Sequence, residues 1–508
     1  LTGDTVLVKR GLLGVISPSF ISPTGQSIIW YDFQLKQYVS WKNGRSTVFS
    51  RSIPFPLYDE ENDVPAPASP YGIAGWLPGD TTVLIYDKYD AWVTSLSGKA
   101  KAANVTQVGR AKKEIYRYLR LDPDEKYLSS SSFSYWRYQQ DINKSTGLAA
   151  ASWKGEKLNW EHRQTGPFQY GIPVKSRSKE VVVYTKESYA SSPDLHVWSV
   201  SDKSTENKLS AINPQQEQYW WGQASLYNFK STDGKMAKGI LYKPENFDPA
   251  KKYPVIFYFY ETHTNTLHSY IPPTPTGSRL NVSFFVSRGY IVFSPDIYYT
   301  QGHPAKSCYQ YVVGAANQLA REPWVDSKNM GIQGQSWGGI QVAQLIAMTD
   351  KFKAAWAGAP VANMTSAYGG IRWESGLNRQ FQYEKTQSRI GATLWERLDL
   401  YLENSPLFHL PKVKTPLVIM ANDADGAVPW YQGIELFTAM RRLGKQVWML
   451  NYNGEAHNLR ERKNQKDISI REQQYFDWLL KGDKAPRWIT EGIPALNKGK
   501  DWGLELVD

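Results

Sequence analysis

The chain has 508 residues, 41% of them apolar, and a formal charge of +11, so it is long enough for two domains with sizeable cores. Its Lys and Arg are scattered without a run of five, which argues against a nucleic-acid footprint, and no stretch reaches the roughly 18 apolar residues that a bilayer span needs. The single cysteine, Cys308, excludes an intrachain disulfide.

Up to about residue 215, short β-like runs alternate with turns, and one pattern recurs. Turns at Ser22-Pro23-Thr24-Gly25, Leu77-Pro78-Gly79-Asp80, Asp122-Pro123-Asp124-Glu125 and Ser176-Arg177-Ser178-Lys179 each open a unit. Such turns lead into β-branched or aromatic runs such as Ile28-Ile29-Trp30-Tyr31, Val83-Leu84-Ile85-Tyr86 and Val181-Val182-Val183-Tyr184. A spacing of roughly 45 to 55 residues fits the four-stranded blade of a β-propeller. Residues 1–215 are therefore read as an all-β, propeller-like domain of about four blades, with an irregular sandwich as the alternative. A propeller of the usual size needs more blades, and the chain opens without an initiator Met, so further N-terminal sequence is expected.

Residues 216–508 change texture. Continuous apolar runs at Tyr253–Tyr260, Tyr290–Phe293, Met330–Gln333, Ala354–Ala357, Leu417–Met420 and Val447–Leu450 read as buried strands. Helical patterns fall between or after them at 307–321, 337–350, 430–443 and 466–480. Strands alternating with helices predict a mostly parallel sheet covered on both faces, the α/β-hydrolase kind of domain.

Within it, Gly334-Gln335-Ser336-Trp337-Gly338 is a G-x-S-x-G motif between a strand and a helix. A serine hydroxyl must protrude and lose its proton to act as a nucleophile, and the sharp turn that presents it tolerates only small residues two positions to either side. In this fold the acid and then the base follow the nucleophile in the chain. Only His409 and His457 lie beyond Ser336. His409 sits in a short apolar segment, whereas His457 lies in a polar loop after a strand, the better place for a mobile imidazole. The acid belongs in Asn422-Asp423-Ala424-Asp425-Gly426, where composition leaves Asp423 and Asp425 both open. The aspartate not used would bond the turn backbone.

These motifs resemble the prolyl oligopeptidase family of serine peptidases, which includes dipeptidyl and acylaminoacyl peptidases. Gly334 to Gly339, the run Asp425-Gly426-Ala427-Val428-Pro429 and Gly454-Glu455-Ala456-His457 match its three signatures in order. The resemblance implies Ser336 as nucleophile, Asp425 as acid and His457 as base, with the Trp337 N–H and the Tyr260 O–H stabilising the oxyanion. It also implies pocket walls from Trp337, Val361, Met364 and Val428, apolar residues that favour an uncharged, apolar or proline residue before the cut bond. Two departures stand out. Glycines that often follow the tyrosine are replaced by Glu261-Thr262-His263, and the one adjacent glutamate pair before residue 215, Glu60-Glu61, lies outside the motif of relatives that trim dipeptides.

The expectation is a serine peptidase acting on short peptides through an acyl-enzyme on Ser336. The alternatives are a carboxylesterase with the same triad and an inactive propeller binding protein. No cofactor, metal, nucleic acid or membrane span is expected. Homo-oligomerisation is left open, and a periplasmic or secreted setting is slightly preferred to the cytoplasm.

Overall fold

In the computed structural model, residues 5, 7–128, 133–155, 157–200 and 206–507 are described. The chain divides into two compact units. The first comprises Leu1–Asn62, Pro67–Pro214 and His268–Tyr270; the second comprises Asp63–Ala66, Gln215–Leu267 and Ile271–Asp508.

Four antiparallel sheets, with their principal strands in chain order, make up the first unit. They span Gly14–Val15 to Arg45–Val48, Ile73–Trp76 to Ala103–Asn104, Glu114–Leu119 to Lys157–Gly166, and Gln169–Tyr170 to Asn207–Lys208. The period of two along each strand explains their stacking. In Thr82–Tyr86, Val83 and Ile85 join a core with Ile29, Tyr31 and Tyr38 of the first sheet, while Leu84 and Tyr86 join one with Trp136 and Tyr138 of the third. Tyr135 and Leu148 of the third sheet then pack with Val182, Tyr184 and Trp198 of the fourth. Sheets stacked face to face in this way, the second and third covered on both faces, form a propeller-like unit. The recurring turns at 22–25, 77–80 and 122–125 lie between the first and second strands of their sheets instead of opening them. First strands such as Gly14–Val15 are too short to carry a pattern of their own.

The second unit is built on one sheet of eight strands: β1 (Gln223–Lys230), β2 (Met236–Lys243), β3 (Tyr253–Tyr258), β4 (Ile291–Pro295), β5 (Val325–Gln335), β6 (Ala354–Gly358), β7 (Leu417–Met420) and β8 (Val447–Leu450). Their spatial order is β1-β2-β4-β3-β5-β6-β7-β8. From β4 to β8 all neighbours are parallel, while β1–β2 and β2–β4 pair antiparallel. Four main helices accompany the sheet: α1 (Pro304–Leu319), α2 (Trp337–Met348), α3 (Tyr431–Arg442) and α4 (Arg462–Phe476). Val255, Phe257, Ile332, Ala355 and Leu417, from the central strands, are fully buried in a core shared with α1, α2 and α3. The sheet is therefore mixed, with parallel strands at its centre. Among the described residues, no helix is long and apolar enough to cross a membrane.

Candidate active site

The loops that leave the carboxyl ends of β3, β5, β7 and β8 carry Tyr260, Ser336, Asp425 and His457 in turn. In open α/β sheets this is the end where ligands bind. Ser336 closes β5 and opens α2 at φ 60° and ψ −111°, a conformation costly for a residue with a side chain. Its backbone N–H donates to the Gly358 carbonyl at 2.7 Å, which helps to hold the turn. The flanking glycines are required by close approach. A Cβ on Gly334 would meet the Gly338 backbone, one on Gly338 would lie 2.5 Å from the Phe259 carbonyl oxygen, and one on Gly339 would meet the Gly358 carbonyl.

Asp425 is buried, and its carboxylate uses both oxygens. Oδ2 lies 2.7 Å from His457 Nδ1, and Oδ1 accepts the backbone N–H groups of Ala427 and Val428 at 2.8 Å each. Asp423 bonds elsewhere. It accepts from Asn453 Nδ2 at 2.6 Å and from the Gly454 N–H at 2.7 Å, and these bonds hold its carboxyl below the ordinary range, with the Asn453 amide contributing most. The two aspartates thus divide the work. Asp425 stiffens its own turn and meets the imidazole, whereas Asp423 ties the acid loop to the loop that carries His457.

That second loop is anchored throughout. Asn422 Nδ2 donates to the Ala456 carbonyl at 2.7 Å, and Gln335 Nε2, beside Ser336, donates to the His457 carbonyl at 2.9 Å. Burial pushes the Glu455 carboxyl up, but the Arg460 and Glu461 N–H groups and the Asn464 amide outweigh it and hold the group below its usual value. His457 stays partly exposed. Among the described residues the Ser336 hydroxyl has no hydrogen-bond partner, a common state of such a group before substrate aligns it. His409 lies apart from this group, with Nε2 against the Leu402 and Glu403 carbonyls.

Tyr260 is held at both ends. Its carbonyl accepts the Tyr299 hydroxyl at 3.0 Å, and its own hydroxyl accepts from Gln387 Nε2 at 2.9 Å, leaving the phenolic proton free to donate. Glu261, which stands where the resembled family often carries glycine, is an ion-pair partner: Arg389 reaches it at 3.1 Å and Asp63 at 2.7 Å. Asp63 also accepts the Tyr299 N–H at 3.0 Å. A four-residue excursion of the chain, Asp63–Ala66, is in this way tied to the segment behind Tyr260. As the first residue of α2, Trp337 has a backbone N–H without an intrahelical acceptor. Its indole N–H donates to the Tyr299 hydroxyl at 3.0 Å.

A cleft opens beside Ser336. Trp337, Val361, Met364 and Val428 line it, joined by Arg372, Arg379, Gln382, Gln387 and Ser388. The polar members come from the irregular segment between β6 and β7, which sequence reading left unassigned. The only signal there is four arginines, Arg372, Arg379, Arg389 and Arg397, in a stretch rich in aromatics and short of apolar periodicity.

An elbow serine, an acid paired with imidazole and a sheet in this order define an α/β-hydrolase domain. Residues 276–483 match the prolyl oligopeptidase family model. The chain is 26% identical over 247 residues to an uncharacterised peptidase, YuxL, of Bacillus subtilis, a match covering 46% of this chain and 35% of that protein. It is 26% identical over 283 residues to dipeptidyl-peptidase 5 of Porphyromonas gingivalis, covering 52% and 37% respectively. These matches span little more than a third of either relative's length. The crystal structure of puromycin hydrolase shares the fold, with a TM-score of 0.62 at 15% identity over 95% of this chain and 70% of that one.

Proposed function

We propose that the protein is a serine peptidase that hydrolyses short peptides through an ester on Ser336. The observation that carries this reading is the 2.7 Å contact between Asp425 Oδ2 and His457 Nδ1, in loops beyond the same sheet end as a serine at φ 60°. An imidazole bonded to carboxylate through Nδ1 presents Nε2 as the base. His457 takes the Ser336 proton as the hydroxyl oxygen attacks the substrate carbonyl. The negative charge that forms there is met by the Trp337 N–H and the Tyr260 O–H. His457 then passes its proton to the leaving amine, and a water activated by the same ring releases the acyl group. The peptidase names of the relatives support peptides as the substrate class.

A fluorophosphonate probe tests this directly. The wild-type chain is expected to take up the label at Ser336, and Ser336→Ala is expected to abolish both labelling and peptide hydrolysis. Label retained by Ser336→Ala, or a wild-type protein that takes none, removes the reading.

A further inference from the structure

The cleft beside Ser336 contains a buried guanidinium with no acid among the described residues to balance it. Arg379 is 0% exposed. One of its amino groups donates to the Ala427 carbonyl, while its Nε, also buried, has no acceptor among the described residues. Arg372, half-buried on the same cleft, offers Nη1 only to Gln382 Oε1 at 3.4 Å. Neither arginine forms an ion pair among the described residues. Arginine does not shed its proton in proteins, so burial cannot neutralise it. A buried charge is otherwise balanced by an opposite charge and by hydrogen bonds. Nearby, burial raises the Tyr383 phenol and the two arginines oppose that rise, with Arg379 the stronger.

From this we infer that the cleft binds a carboxylate of the substrate, carried on the side chain of the residue whose carbonyl Ser336 attacks. The inference rests on the peptidase reading and specifies its substrate class. Val361, Met364 and Val428 form an apolar wall suited to the methylene stem of aspartate or glutamate. Arg379 and Arg372 supply the donors at the far end, and the planar guanidinium fork matches a carboxylate. This departs from the uncharged, apolar or proline preference that the wall residues alone suggest. A carboxylate at the end of the substrate chain has the same chemistry, and the test separates the two.

Fluorophosphonate labelling of the full chain first establishes that the serine is active. Hydrolysis of coumarin amides ending in Ala-Ala-Asp, Ala-Ala-Asn, Ala-Ala-Glu and Ala-Ala-Gln, with free and blocked N-termini, then reads the preference. Wild type is expected to favour acid over amide by on the order of 10² in kcat/KM, because an amide leaves the buried donors poorly matched. Arg379→Met is expected to bring the pairs within a fewfold of each other. If that variant does not fold, Arg372→Met, altered at a less buried site, is expected to narrow the gap roughly tenfold. A labelled wild type that cleaves amide and acid partners equally, or variants that keep the preference, overturns the inference. So does a preference, in quenched peptides with neutral side chains, for a free over an amidated C-terminus. A wild type that takes no label fails at the earlier step and removes the peptidase reading itself.

Discussion

Asp423 and Asp425 stand two residues apart in one loop, and composition treats them alike. The structure separates them by what their oxygens reach: Asp425 meets His457 Nδ1, whereas Asp423 meets Asn453 and the Gly454 N–H. Asp425→Asn places an amide against Nδ1 and upsets the tautomer in which Nε2 can accept a proton. The rate of fluorophosphonate labelling is expected to fall by roughly 10⁴ with little change in thermal stability. Asp423→Asn is expected to do the opposite: labelling falls within about tenfold, and because Asp423 is exposed and its bonds are screened by solvent, their loss lowers stability by no more than about 1 kcal/mol. Labelling rate and thermal midpoint, measured on both variants, distinguish the two roles. The serine motif and the histidine loop were legible because their chemistry demands residue types at short spacing. Arg379 was not legible. Its meaning depends on burial and on the lack of an acid nearby, and neither is written in local order.

Between β5 and α2 the chain turns in so little space that backbone meets backbone. At Gly338 an added Cβ lies 2.5 Å from the Phe259 carbonyl oxygen, and both partners are main chain with nowhere to move. Gly338→Ala is expected to cost about 1–3 kcal/mol through overpacking and to slow labelling of Ser336 by displacing the start of α2. Gly369, with nothing within 4 Å of an added Cβ, is expected to accept alanine with no change in thermal midpoint, and the pair of melting curves checks both. The same physics explains which elements could be read beforehand. The strands β3, β7 and β8, as continuous apolar runs, and the helices α1 to α4, by their apolar periodicity, were located to within a few residues. The β1–β2 hairpin was missed because β1 is half exposed and alternates weakly, with only Phe229 fully buried. The recurring turns of the first unit were visible, but the first strands before them, two to six residues long, were not.

Each of the two units has its own apolar core, so their stabilities are separable quantities and a single unfolding free energy does not describe the whole chain. Asp80 offers a handle on the first unit alone. It sits in the turn of the second sheet at φ 56°, accepts from the Thr24 N–H at 3.1 Å and the Thr24 hydroxyl, and takes the Tyr127 hydroxyl at 2.6 Å. Burial pushes its carboxyl up, but these bonds and one from Ser22 prevail, bringing it from 3.8 down to about 2. A group depressed in this way contributes stability that is present above 3.8 and drains away as pH falls through about 2. Asp80→Asn removes that contribution. In urea unfolding followed by tryptophan fluorescence, the variant is expected to be less stable than wild type at pH 7. The difference is expected to shrink steadily between pH 4 and pH 2. Fluorophosphonate labelling at pH 7, which reports on the second unit, is expected to be unchanged. An equal loss at pH 7 and pH 2 would mean that the side chain acts there through shape alone and that the charge of Asp80 does not support the fold.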